Sequence, residues 1–149
     1  MTQKREYVTP MPKNILIDLN VILDLLLDRK GSDASKTVLE LSEHDSHRLY
    51  ISGHIVTTFA YLLEEYSVPI SQIQHHINWL IETFNVVPVD STLLKNALKS
   101  RITDYEDAVI EQAAIACGAT TIITRNVKDF RASSLLALKP EEYLSRFLI

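Results

Sequence analysis

Apolar residues recur along this chain with two periods that take turns. Asn14 to Leu19 (NILIDL) is a short β-capable apolar run of the kind buried in a parallel sheet, and Leu23, Leu26 and Leu27 then follow at helical spacing as far as Asp28. Ala34, Val38 and Leu41 share one face over Asp33 to Ser42, which predicts a second helix. Leu49 to Ser52 (LYIS) reads as a strand, and His54 to Tyr66 returns to helix with Ile55, Phe59, Leu62 and Leu63 in line. After Pro69, a helical face of Ile70, Ile73, Ile77, Leu80, Ile81 and Phe84 runs for about four turns, with Gln72, Gln74, His75, His76 and Glu82 left for the other face. Val86 to Val89 (VVPV) predicts a strand, and Pro88 argues for an edge position because it has no N–H to give a neighbour.

Ser91 to about Ser100 reads as a helix. A further helix spans Asp104 to Cys117, with Gly118 as its C-terminal stop. Thr120 to Thr124 (TTIIT) is a strand, Leu135 to Leu138 a weaker one, and the tail after Pro140 begins as helices do, with Pro and Glu in the first turn. Residues 1–12 have no such periodicity and are expected to form a flexible arm ahead of one domain over 13–149. Short strands alternating with helices predict an α/β fold: a mainly parallel sheet of about four to five strands with helices on both faces.

Composition narrows the class. With 46% hydrophobic and 23% charged residues in 149, the chain is that of an ordinary soluble domain. Its one cysteine, Cys117, forms no internal disulfide and no thiolate metal site, which fits a reducing compartment. No apolar run reaches the ~18 to 20 residues of a membrane span and the N-terminal stretch lacks a signal peptide's apolar segment, so a cytoplasmic protein with no membrane partner is expected. Fifteen Lys and Arg against 19 Asp and Glu leave a net charge of −4. A phosphate-bearing substrate therefore needs local help, from basic side chains or a metal ion. Three glycines are too few for a GxGxxG fingerprint or a P-loop, and neither pattern occurs.

In open α/β sheets ligands bind beyond the carboxyl ends of the strands, which directs attention to three polar clusters. Asp18 interrupts the end of an apolar strand, with Asn20 two positions on; either residue also serves as an ordinary helix cap. Thr103-Asp104-Tyr105-Glu106-Asp107 opens the helix that ends at Gly118, where Asp104 is the expected cap and Asp107, at i+3, shares its face. Thr124-Arg125-Asn126-Val127-Lys128-Asp129-Phe130 follows the TTIIT strand. If these acids converge, their repulsion calls for a cation, and oxygen ligands suit Mg²⁺ or Mn²⁺. The His75-His76 pair lacks an HExxH pattern and reads as helix surface.

With NILIDLNVILDLLLDR, DYEDAVIEQAAIACGA and TIITRNVKDF in that order between Asn14 and Phe130, the sequence resembles the PIN-domain family. These are metal-dependent ribonucleases that include the VapC-type toxins of bacterial toxin–antitoxin pairs. The resemblance implies that Asp18 is the first metal-binding carboxylate, Asn20 its polar neighbour and Asp107 the acid opening the alanine-rich helix. Asp104 matches an additional acid of one branch, Thr124 and Asn126 fall on the family's T-R-[DN] motif, and Asp129 is the acid before Phe130. One position departs: where many members carry Glu six residues after the serine ending the second strand, this chain has Thr58.

An endoribonuclease is therefore expected, with catalytic Asp18, Asp104 and Asp107. Together with Asp129 these acids would hold one Mg²⁺ or Mn²⁺, supported by Asn20, Thr124 and Asn126, while Arg125, Lys128 and Arg131 contact RNA phosphates. The implied partners are RNA, an antitoxin protein that occludes the site, and a second copy paired through a helical face. The alternative is a PIN-like module, decayed at Thr58 and Asn126, that binds RNA or protein without cleaving. A phosphatase of the D-x-D strand-end type is a weaker third reading, since Asn20 stands where its second acid belongs.

Overall fold

Strand β1 (Lys13–Ile17) buries Ile15 and Ile17 on one side of a sheet and Leu16 on the other, as a period of two requires. The computed structural model, which describes residues 11–147, places β1 at the centre of a five-stranded sheet. The chain continues through α1 (Leu19–Leu26), α2 (Ser32–Glu40) and a 3₁₀ turn (Leu41–Glu43) to β2 (His47–Ser52). Next come α3 (His54–Glu65), α4 (Ile70–Thr83), β3 (Asn85–Val87), α5 (Ser91–Leu98), α6 (Tyr105–Ala116) and β4 (Thr121–Ile123). A second 3₁₀ turn (Val127–Phe130), β5 (Leu136–Leu138) and α7 (Pro140–Phe147) complete it.

The strand order is β3-β2-β1-β4-β5 and every pairing is parallel. The chain steps outward from β1 to β3, then crosses back to β4 on the other side of β1. The topological switch point thus lies between β1 and β4, the place where an open parallel sheet leaves a crevice at its carboxyl edge. Helices α1 to α4 and α7 cover one face around Ile15, Ile17, Phe59, Leu80 and Tyr143, and α5 and α6 cover the other around Leu16, Ala108, Ala113 and Ile122. The alanines of α6 let its backbone lie close on the sheet. Gly118 then reverses the chain into β4: its φ of 68° suits a residue without Cβ, and Gly118 N–H to Ile115 O with Ala119 N–H to Ala114 O completes a Schellman end.

Two local expectations change. Strand β3 stops at Val87, so Pro88 follows the strand instead of sitting in it, and β3 is an edge as anticipated. On α4, Ile73, Leu80 and the following Phe84 are buried, but Ile70 and Ile81 are 71% and 52% exposed. At ~100° per residue those two lie roughly 60 to 80° round the helix from the stripe through Ile73, beyond what one neighbouring helix covers. The arm expected over residues 1–12 lies outside the described residues up to position 10; described chain begins with exposed Met11, just ahead of β1.

Candidate active site

Asp18 leaves β1 and caps α1 with one carboxylate: Oδ1 accepts from the backbone N–H of Leu19 at 2.8 Å. The cap and site readings of this residue are compatible, because Oδ2 is used elsewhere. It accepts from Thr124 Oγ1 at 2.8 Å, across the β1–β4 switch point, and from Asn20 Nδ2 at 3.3 Å. Asn20 Oδ1 in turn accepts from the Arg125 N–H at 3.1 Å, and Thr124 Oγ1 from the Asn126 N–H at 3.0 Å. Asn20, Thr124 and Asn126 therefore form a mesh that orients Asp18, with Asn126 joining through its backbone. Asp18 is buried, and burial pushes its pKa up, opposed by the Thr124 and Leu19 hydrogen bonds and reinforced by the nearby charge of Glu106.

Asp104 is the N-cap of α6, accepting from the Asp107 N–H at 3.0 Å. Asp107 is pushed up to about 7 by burial, then by the charges of Asp104, Asp18, Asp129 and Glu106. Four acids thus act on one carboxyl, and a cation among them would favour its ionised form. A cleft of about 400 Å³ beside α6 is lined by Asp104, Asp107 and Asp129 together with Arg101, Lys128 and Arg131. Among the described residues no three His, Cys, Asp or Glu groups already surround one point at bonding distance. The fit to a hard divalent cation therefore lies in the oxygen-only donor set and its mutual repulsion, and the carboxylates would have to close on the ion.

Arg125 does not belong to the basic rim. Its Nε donates to buried Asp24 Oδ2 at 2.6 Å, Nη1 to both oxygens of Glu141 at 2.6 and 2.7 Å, and Nη2 to Gly31 O at 2.8 Å and Ser35 Oγ at 3.0 Å. The guanidinium ties α1, α2 and α7 together, and nothing is left for a phosphate. Gly31, with a φ of 89°, leaves it room: a Cβ there would stand 2.9 Å from Nη2. Asn20, spent on Asp18 and Arg125, has no acid to offer, which removes the phosphatase reading.

Three residues of this region have no role assigned from the sequence. Arg101 lines the cleft and Glu106 acts on both Asp18 and Asp107. The third, His54, opens α3 directly after β2, where the strand-end rule already applied. Its Nδ1 is 2.6 Å from Ser52 Oγ, its Nε2 is buried without a hydrogen-bond partner among the described residues, and burial lowers its pKa against the opposing pull of Glu106.

The PIN domain family matches residues 14–128, and the chain belongs to that family. In structure it is similar to VapBC2 from Rickettsia felis bound to a DNA fragment from their promoter, with 19% identity and a TM-score of 0.66 over 85% of this chain and 98% of that one. VapBC-1 from nontypeable Haemophilus influenzae gives 22% identity and 0.66 over 86% and 98%. A toxin-antitoxin complex from Klebsiella pneumoniae gives 22% and 0.65 over 85% and 97%. At these identities the likeness is one of fold. No curated protein matches the chain.

Proposed function

We propose that this PIN-domain protein is a metal-dependent endoribonuclease acting as the toxin of a toxin–antitoxin pair. The observation that carries the reading is a cleft lined by Asp104, Asp107 and Asp129 and rimmed by Arg101, Lys128 and Arg131, where the charge of Asp18 at the switch point acts on Asp107. A bound Mg²⁺ or Mn²⁺ supplies an activated water and charge stabilisation for phosphodiester hydrolysis. Asp18, Asp104, Asp107 and Asp129 would hold it. Thr124 and Asn20 keep Oδ2 of Asp18 oriented, and Asp107 releases its proton as the cation enters. The three rim cations offset locally a net charge of −4 and grip the RNA backbone on either side of the scissile phosphate. A protein partner is supported by Tyr61, Tyr66, Ile70 and Ile81, which α3, α4 and the turn between them leave exposed, and by the toxin-antitoxin complex among the similar structures.

Incubating purified protein with RNA and Mn²⁺ or Mg²⁺ tests this. Cleavage that EDTA and Asp18→Asn both abolish is the expected result. RNA binding without cleavage would favour the non-cleaving module, a reading supported by Thr58 and Asn126, which lack the carboxylates found there in many PIN domains.

A further inference from the structure

The face of α6 that meets the acid-lined cleft continues past Asp107. Glu111 and Ile115 follow at i+4 and i+8, so the three positions form one stripe about 12 Å long. Along that stripe lies a second cavity of about 660 Å³, lined by Glu111, Ile115 and Ser134 and sharing Arg101, Arg131 and Ala132 with the cleft. The two cavities have a wall in common, and that wall carries two of the three rim cations.

Glu111 is only 6% exposed. Its Oε1 accepts from Ser100 Oγ at 2.6 Å and from Gln112 Nε2 at 3.2 Å, which uses both lone pairs of that oxygen. Oε2 has no hydrogen-bond partner among the described residues, and no Lys or Arg there pairs with the carboxylate, although Arg101 and Arg131 line the same cavity. Nor is Oε2 one of the unpartnered atoms sealed in by protein, and the space beside Glu111 is this cavity. The result is a fixed, mostly buried acceptor with room for a donor in front of it. Ser100 Oγ also accepts from the Ile102 N–H at 3.1 Å, so the same carboxylate steadies the loop that carries Arg101.

A phosphate does not suit such a floor, because the carboxylate repels it. A flat ring with an N–H donor does: Ile115, 47% exposed, gives it an apolar wall, and the two guanidinium groups stack on it or hold its phosphate. A carboxylate oxygen pairs with the amino group of cytosine, whereas uracil presents a carbonyl oxygen at that position. Guanine's adjacent N–H groups call for both oxygens of a carboxylate, and Oε1 is taken. We propose that this cavity seats a cytosine base next to the scissile phosphate, with Oε2 of Glu111 accepting from its amino group. The inference rests on the ribonuclease reading above and gives it a specificity-determining residue.

The test measures binding of oligocytidylate and oligouridylate of equal length to the full chain in the Asp18→Asn background, by fluorescence anisotropy. With Glu111 intact, oligocytidylate is expected to bind about fivefold tighter, the low end for a base-edge contact because one oxygen makes it. Glu111→Gln keeps an oxygen for Ser100 and Gln112 and puts an amide N–H in place of Oε2, so the preference should vanish or reverse while oligouridylate binding is retained. Ser134→Leu, at an exposed position, narrows the cavity and should erase the preference without touching Glu111; it serves if Glu111→Gln fails to fold. Equal binding of the two oligomers with Glu111 intact overturns the base site and leaves the ribonuclease reading standing. Equal weakening of both by Glu111→Gln overturns it too, since that is the pattern of a carboxylate that only steadies Arg101. Binding of neither oligomer overturns the base site and the RNA-directed function together.

Discussion

Thr124 Oγ1 donates a 2.8 Å hydrogen bond to Asp18 Oδ2, joining residues 106 positions apart in the chain at the ends of two paired strands. The same hydroxyl accepts from the Asn126 N–H, so both of its capacities are used. Thr124→Val keeps the shape and removes both bonds inside a buried site. The expected cost is about 1–3 kcal/mol in chemical denaturation, with metal affinity falling as Asp18 loses its orientation. Thr124→Ser keeps the hydroxyl and should retain most of both. A valine variant as stable as wild type would show that the bond only decorates the site.

Asp107 gives the metal-free protein a pH dependence of definite sign. Its carboxyl is pushed up to about 7 in the fold, against ~3.9 in an unfolded chain. The folded state therefore binds this proton more tightly, and the stability it contributes is full below about pH 4 and lost as pH rises through 7. Asp107→Asn cannot ionise and escapes the loss. In EDTA its thermal midpoint should match wild type near pH 4 and exceed it above pH 7, and Mn²⁺ should stabilise wild type more than the variant. Parallel curves across this range would mean that neither burial nor the surrounding acids raise the Asp107 carboxyl.

How far the sequence led depended on whether a residue's role was local. Asp18 and Asp104 were recognisable because a strand end and a helix start are written in a few adjacent residues, and both do cap the helices they precede. The parallel sheet followed from alternating periods, whereas the side of β1 on which β4 inserts is a long-range choice that no local pattern encodes. Arg125 was misassigned for the same reason. Its neighbours Thr124 and Asn126 face the Asp18 mesh, and nothing in T-R-N reveals that the side chain between them turns inward to Asp24, 101 positions away. His54 looked like any first residue of an amphipathic helix. Its Nε2 is buried without a partner among the described residues, a condition that only packing creates.

Arg125 should matter to stability rather than to substrate. Its side chain is 21% exposed and that of Asp24 only 5%, so removing the guanidinium leaves a buried carboxylate with only the Ser35 hydroxyl at 3.0 Å and a 3.9 Å pair to the part-exposed Arg29. Arg125→Met is expected to cost about 3–5 kcal/mol, most of it recovered when Asp24→Leu removes the stranded charge as well. The pair to Glu141 contributes less, since that carboxylate is half exposed. Guanidinium denaturation of the single and double variants checks this. An additive double variant would place the cost elsewhere in the α1–α2–α7 junction.

Lys128 and Arg131 should behave in the opposite way. Both are exposed, form no ion pair among the described residues and line the acid-bearing cleft, as does Arg101. Alanine at either position should leave the thermal midpoint unchanged, because surface charges without partners contribute little to folding. Binding to single-stranded RNA should weaken, and the slope of log K against log salt should flatten by about 0.7 for each phosphate contact removed. Measuring affinity at several salt concentrations on an uncleaved substrate, with the Asp18→Asn background to prevent turnover, separates this loss from any change in chemistry. Arg125→Ala serves as the internal contrast, since it should lower the melting temperature and leave the slope of whatever remains folded intact. If Lys128→Ala and Arg131→Ala instead bind RNA with the wild-type slope, the backbone does not cross this rim, and the path of the RNA must be sought on another side of Asp18.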